Sequence, residues 1–276
     1  MPLPAPKTGC LWMKIPNKDW WEVVMLHFPD AEATYDVLPT PSNLNQWIGE
    51  DLSWHLCQTP ATLRHILVGC KTSLSQGRYT WRHNQVLRQL AIILEGRRIT
   101  NNALPPLRPG FSEAIPFVRA GQLPTKPTTK METNLLESAR DWKMQVDLDQ
   151  RLSFPPEIIS TNLRPDLILW STSQKSLFIV ELTVPWEAAI GEANERKRLK
   201  YSDLLAEVVQ QGWRSQLFPV EVGFRGFVAM VTTRLLKGLG VTGQALRQAV
   251  RSLSEAAERS SNWLWLKRKD PKWAVK

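Results

Sequence analysis

What this sequence lacks narrows the field before any motif is read. No apolar run approaches the roughly 18 residues that a membrane-crossing helix needs. The N-terminus, with Lys7 among several prolines, has no apolar stretch of the secretory kind. Cysteine is scarce: Cys10, Cys57 and Cys70 are too few, and odd in number, for a disulfide framework. A reducing compartment follows, so the expectation is a nuclear or cytoplasmic protein, neither secreted nor membrane-bound. No Gly-rich phosphate loop of the Walker kind occurs, and no internal repeat is present.

Against these absences stands a basic balance. Thirty-five Lys and Arg against 26 Asp and Glu give a net charge of +9, which favours a polyanionic partner. The excess is uneven, because the stretch from Asp19 to Glu50 is acidic and that from Arg259 to Lys276 is basic. Thirteen tryptophans serve core packing first and stacking on bases second. A chain of 276 residues can bury one sizeable core, or one core with a small appended module.

The chain is organised around the stretch from Arg164 to Tyr201. Asp166–Trp170 and Phe178–Val184 are rich in β-branched and aromatic residues and read as strands. Thr172–Lys175 between them is a polar turn. A hairpin centred between Ser173 and Gln174 places Asp166 opposite Glu181, on one face, with Cβ atoms about 4.5–5.5 Å apart. Two carboxylates that close repel each other unless a cation lies between them or one is protonated. Both sit on otherwise apolar strands, where an unpaired charge is costly. Ile179 and Thr183 share the face of Glu181 by alternation, and Pro185 ends the strand.

From about Glu187 to Gln211 the pattern turns helical, with Leu204, Leu205, Val208 and Val209 as its apolar stripe. The first turns carry Glu187, Glu192, Glu195, Arg196, Lys197, Arg198, Lys200 and Tyr201. Its acids also fit a solvated face paired with Arg196 and Arg198. Oxygen ligands with spare positions suit magnesium or manganese, and a neighbouring ammonium can stabilise charge developing on a phosphate.

At these residues the chain resembles the PD-(D/E)xK nucleases. Pro165-Asp166 and Glu181-Leu182-Thr183 match the family's pattern, except that Thr183 stands where the family has Lys. The branch sharing this departure is the restriction-like endonuclease of site-specific non-LTR (LINE-type) retrotransposons, in which the next helix supplies the Lys. The resemblance implies Asp166 and Glu181 as ligands of Mg²⁺ or Mn²⁺, and Lys197 or Lys200, with Tyr201 adjacent, as the displaced cation. It implies DNA as partner, with RNA as the other candidate. In the family the cut supplies a 3′ end that primes reverse transcription. The polymerase's Asp-Asp signature is missing here, so the expectation is a C-terminal piece of such a protein, truncated or domesticated.

The same resemblance extends along the chain. Ala33–Leu44 looks like the segment that leads, in this branch, into a small zinc knuckle, Cys-x2-Cys-x7-His-x4-Cys. Cys57, His65 and Cys70 have that spacing, while Trp54 occupies the place of the first Cys. Tetrahedral zinc takes four ligands, so the implied Zn²⁺ site is degenerate unless His55 or His83 substitutes; a metal-free Cys/His cluster is the other reading. The run Arg82-His83-Asn84 also matches the branch. Arg78, Arg82 and His83, at the start of a helix expected from about Tyr79 to Gly96, are candidate phosphate contacts, or else an exposed first turn.

Elsewhere the patterns are local. Trp20–Leu26 reads as a short helix, and the Pro-rich stretch from Arg97 to about Glu132 as a linker or insertion. Trp142–Leu148 reads as a strand that pairs with the hairpin, and Gln216–Gly223 as a further strand, followed by the apolar stretch Arg225–Val231. Thr233–Leu239 is a short helix closed by Gly240, and Thr242–Glu258 an amphipathic helix. The tail Asn262–Lys269 mixes indoles with cations, suited to nucleic acid or to anchoring on the core. The expected fold is α/β, a PD-(D/E)xK nuclease-like core with a mixed sheet flanked by helices, over residues 76–276. Residues 1–75 form a small helical, zinc-knuckle-like N-terminal part. Three functions remain open: a metal-dependent DNA endonuclease, a catalytically inactive nucleic-acid-binding remnant, or an interaction protein whose carboxylates serve only ion pairs.

Overall fold

The computed structural model describes residues 57, 64–105, 134–148, 150, 152–186, 190–268, 270 and 273. The expectations for Trp20–Leu26, Ala33–Leu44, Trp54, His55, Glu187 and most of the Pro-rich stretch lie outside these residues. A π-helical turn, His65–Gly69, leads into α1 (Lys71–Ser75) and then α2 (Arg78–Asn102). Then come β1 (Lys143–Val146), β2 (Leu167–Ser171), β3 (Ser176–Thr183), α3 (Ile190–Gln210) and β4 (Arg214–Glu221). Two helices close the order, α4 (Met230–Gly238) and α5 (Gly243–Leu266). The architecture is mixed α/β, a four-stranded mixed sheet flanked by helices. Among the described residues no helix is long and apolar enough to cross a membrane.

The sheet runs β1-β2-β3-β4, antiparallel through β3 and parallel between β3 and β4. A parallel pair needs a long crossover, which α3 provides. Both central strands are buried on both sides, so they read as nearly unbroken apolar runs. Leu167, Leu169, Phe178 and Val180 pack with residues of α2, α4 and α5 on one face. Ile168, Trp170, Leu177 and Ile179 pack with Tyr201, Leu204 and Val208 of α3 on the other. Ile66, Leu67 and Cys70 join the first of these cores, so the chain on either side of residue 75 shares one interior.

The β2–β3 register is the one the turn implies. Ile168 pairs with Ile179 and Ser171 with Ser176, which sets Asp166 across from Glu181. Asp141 pins the turn from outside: its carboxylate accepts the Ser171 and Ser173 hydroxyls, both at 2.6 Å, and the Ser173 N–H at 2.8 Å. A one-residue slip would break all three bonds and send every strand side chain to the other face.

Four local expectations are corrected. Helix α2 does not stop at Gly96 but runs to Asn102, because its last turns are anchored by distant carbonyls. Arg97 donates to Leu239 O, Arg98 to Trp142 O and Asn101 to Ala139 O. Residues 97–102 therefore belong to a helix, not to a linker. The stretch from Arg225 is an irregular loop joined by one Val222–Val228 bridge, and α4 already starts at Met230. The tail is no separate segment, since α5 continues to Leu266 and buries Leu264 and Trp265. Finally, the apolar stripe of α3 is shifted: Val209 is exposed, and the buried face is Ala193, Tyr201, Leu204 and Val208. Gly240, by contrast, closes α4 as expected, with φ of +80° and its N–H on Lys237 O.

Candidate functional site

The open end of the hairpin, away from its turn, gathers the charged groups. The Asp166 N–H, instead of continuing the ladder, donates to Glu181 Oε2 at 3.0 Å. In return the Leu182 N–H donates to Asp166 Oδ2 at 2.7 Å. The two carboxylates thus clamp the strand ends reciprocally, each satisfied by a backbone amide of the other strand. Asp147 N–H donates to Asp166 O, which ties β1 to the same corner.

Helix α3 brings cations to the pair. Lys197 and Lys200 both donate to Glu181 Oε1, at 2.6 and 3.3 Å. Tyr201, fully buried, has its hydroxyl 3.0 Å from Glu181 Oε2 and 3.2 Å from Arg164 O, and accepts from the Lys200 ammonium at 2.9 Å. Burial and then the Glu181 charge push the phenol pKa far up, so Tyr201 remains a neutral donor. Residues 197, 200 and 201 are spaced i, i+3, i+4, which places all three on one helix face over Glu181. The Glu181 side chain is 3% exposed and that of Lys200 43%, so the site opens to solvent on the lysine side.

His83, on α2, reaches Asp166 from the other direction. Its Nε2 lies 3.3 Å from both Asp166 Oδ2 and Leu182 O, and Nδ1 faces Asn84 Oδ1 at 3.2 Å. Burial alone lowers the imidazole pKa, but the Asp166 hydrogen bond and charge, with Asn84 and the Leu182 carbonyl, outweigh it and raise the value. Both carboxylates therefore carry cationic or polar partners, which answers the repulsion expected from their spacing. Asp166 Oδ1 accepts no hydrogen bond among the described residues.

The structure brings Asp166, Glu181, Lys197, Lys200, Tyr201 and His83 together. It does not place Arg78 or Arg82 there, and the phosphate contacts expected of them are corrected. Both guanidinium groups are interior and spent on carbonyl groups. Arg78 donates to Lys267 O at 3.0 Å and Asp270 O at 2.6 Å, beyond the end of α5. Arg82 donates to Leu67 O at 3.0 Å and Val184 O at 3.3 Å. Tyr201 likewise faces the interior, where a nucleic acid cannot reach it. One residue that the sequence reading passed over is Glu221, buried on β4 and paired in register with Thr183. Its Oε1 accepts from Asn194 at 2.9 Å, while burial holds its pKa above the usual carboxylate range. The signal was available: Val220-Glu221-Val222 repeats the acid-within-a-strand pattern that singled out Glu181.

The second cluster is Cys57, His65 and Cys70. Their ligand atoms lie within 4.8 Å of one another, with Cys57 Sγ 3.1 Å from His65 Nε2 and 3.8 Å from Cys70 Sγ. Tyr79 fastens this segment to α2 by accepting the Cys70 N–H at 2.9 Å and donating to Ile66 O at 2.9 Å. Burial raises the Cys70 thiol pKa, but the Ser73 and Cys57 hydrogen bonds outweigh it and lower the value from the ordinary thiol range. His83 is no fourth ligand, being committed to Asp166 and Leu182. Comparison with protein-family models and with curated proteins finds no match to this chain.

Proposed function

We propose that the chain is a metal-dependent DNA endonuclease domain of the PD-(D/E)xK kind, derived from a retrotransposon protein. The observation that carries the reading is the convergence of Asp166 and Glu181 on one face of the hairpin, with Lys197 and Lys200 of α3 on the same carboxylate. The donor set fits Mg²⁺ or Mn²⁺: two carboxylates on one face, with Asp166 Oδ1 accepting no hydrogen bond among the described residues and Glu181 Oε1 held by the Lys197 and Lys200 ammonium groups. Asp166 and Glu181 would hold the ion, which when bound polarises the scissile phosphate and lowers the pKa of a bound water. The lysines would stabilise charge on the phosphate oxygens, Lys197 at the buried side and Lys200 at the solvent side. Tyr201 fixes Lys200, and His83 fixes the orientation of Asp166. Cys57, His65 and Cys70 would supply three of the four ligands of a Zn²⁺ ion, one short of the full knuckle set.

Nicking of supercoiled plasmid in magnesium tests this directly. Wild type is expected to convert it to open circles and Asp166→Ala to leave it intact; equal activity in both, or none in wild type, defeats the enzyme reading. A second reading, an inactive nucleic-acid-binding remnant, is favoured by Thr183 at the family's Lys position and by the ion-paired state of Glu181. It expects salt-dependent DNA or RNA binding that is indifferent to Asp166 and Glu181.

A further inference from the structure

We propose that the groove between α3, the outer edge of β4 and α4 is a track for the phosphodiester backbone of DNA beside the cut. The inference rests on the nuclease reading and names where its substrate lies. The groove holds about 530 Å³ and its rim is set by Arg198 and Ser202 of α3, Ser215 and Gln216 of β4, and Arg234 of α4. No acidic residue lines it. Arg234 is exposed and makes no hydrogen bond or ion pair among the described residues. Arg198 is exposed as well and spends only its Nε, on Asn194 Oδ1 at 2.8 Å. By contrast, Arg251 and Arg259 of α5 are both paired with Glu255. Glu221, bonded to the same Asn194, feels the Arg198 charge but forms no ion pair with it, and Arg234 has no carboxylate partner among the described residues. Two arginines facing one groove without an ion-paired carboxylate favour a polyanion over a peptide.

Two further features fit a backbone rather than a free anion. β4 is the edge strand of the sheet, so its outer side from Ser215 to Phe218 pairs with no strand among the described residues and leaves polar groups for phosphate oxygens. Pro219, which also lines the groove, is the residue paired with Glu181 across the parallel ladder. β4 alone therefore separates the groove from the strand that carries Glu181, the two strand backbones lying about 4.8 Å apart. Arg198 follows Lys197 in the chain, so one helical turn serves both the site and the track. A strand whose phosphate meets Lys197 and Lys200 would run on toward Arg198 and Arg234 in the groove.

Binding is measured by fluorescence anisotropy of a labelled duplex in EDTA, so that cleavage does not enter, over about 50 to 200 mM KCl. Each lost phosphate contact lowers the slope of log K against log salt by about 0.9, so Arg198→Gln with Arg234→Gln should flatten it by about 1.8. The same pair should weaken binding at least about tenfold at the lower salt. Arg251→Gln with Arg259→Gln removes the same charge from α5, outside the groove, and should change the slope by less than about 0.5. Arg234→Gln alone, at a side chain with no partner to lose, should flatten it by about 0.9. The proposal is overturned if wild type does not bind the duplex, or if the groove variants keep the wild-type slope or match the control. Asp166→Ala separates the two readings. If it still nicks, the nuclease reading falls while the binding slopes stand; if the groove variants keep the wild-type slope but nicking depends on Asp166, the track falls alone.

Discussion

Replacing Lys197 by Met keeps the aliphatic stem and removes the ammonium that lies 2.6 Å from Glu181 Oε1. A buried charge stripped of its sole partner costs about 3–5 kcal/mol. Glu181 would not be stripped, because Lys200 remains at 3.3 Å, and the Asp166 N–H and Tyr201 hydroxyl each lie 3.0 Å from its other oxygen. The expected loss is therefore below that range, about 2 kcal/mol, read as the shift in urea unfolding. A double-mutant cycle with Glu181→Gln should return a coupling of about 1–3 kcal/mol. Magnesium adds a second arm. In wild type an ion at this site must first displace Lys197 from Oε1, so part of its binding energy offsets the lost pair; in Lys197→Met it does not. At about ten times its Kd an ion stabilises by about 1.4 kcal/mol, and the gain should be larger in the variant than in wild type at equal concentration. A coupling below about 0.5 kcal/mol, or identical magnesium gains in both proteins, would refute the claim that lysine and metal compete for one oxygen.

Other outcomes follow from the same geometry. Burial, with the Glu255 charge added, pushes the Glu258 carboxyl up to about 7, against 4.5 unfolded, so native chains hold a proton that unfolded ones release between those values. Stability should fall across that window, and Glu258→Gln should gain about 2–3 kcal/mol at pH 8 and little at pH 4; no gain at pH 8 would contradict it. For His83, whose folded pKa is raised, the stabilisation is whole below the ordinary imidazole value and lost as pH climbs through the folded one. In a Glu258→Gln background the urea midpoint should therefore drop as pH rises past the ordinary imidazole value of about 6.5, and His83→Gln should remove the drop. Arg82→Met should cost about 3 kcal/mol by leaving the Leu67 and Val184 carbonyls unpaired, yet leave the DNA affinity of the folded protein unchanged; a loss of affinity would return Arg82 to the interface. Purified chain should carry one zinc by atomic spectrometry and Cys70→Ala none, with cobalt substitution giving the ligand-field bands of a thiolate site.

The sheet's centre was legible because its determinants are local. Two apolar, β-branched runs flank four polar residues, and the turn length alone fixes which residues oppose one another. The helix ends were not legible, because what holds them is remote. Arg98 and Asn102 of α2 donate to Trp142 O, and Asn101 to Ala139 O, some 40 residues away in the chain, so no periodicity marks the extension. The extension of α5 was hidden by the polar run Glu258–Asn262. There Ser260 bonds back to Ala256 O within the helix and Ser261 donates to Phe224 O, which lets small polar residues occupy buried positions. Arg78 and Arg82 failed for the same reason as the helix ends. Basic residues at a helix start suit a phosphate and a distant carbonyl equally well, and only the fold says which one is near.

The site's acids and its cations were legible through different signals: the strand pattern gave Asp166 and Glu181, and the family resemblance alone gave Lys197 and Lys200. A hydrophobic reading of α3 selects Leu204 and Val208 but passes over Lys197, because a charged residue scores as solvent-facing. Yet the buried face of the helix runs through Ala193, Tyr201, Leu204 and Val208, and Lys197 sits on that line, one turn before Tyr201. The acid at Glu181 is what allows a lysine there: burying either charge alone in an apolar sheet is costly, and the pair offsets both costs. Thr183 occupies the strand position next on that face, half-buried and uncharged. A lysine added at Thr183 would bring a third ammonium to a carboxylate that already accepts from two. The cation over this hairpin is therefore set by the period of the helix and not by the alternation of the strand, which is why a strand motif alone finds the acids and misses their partner.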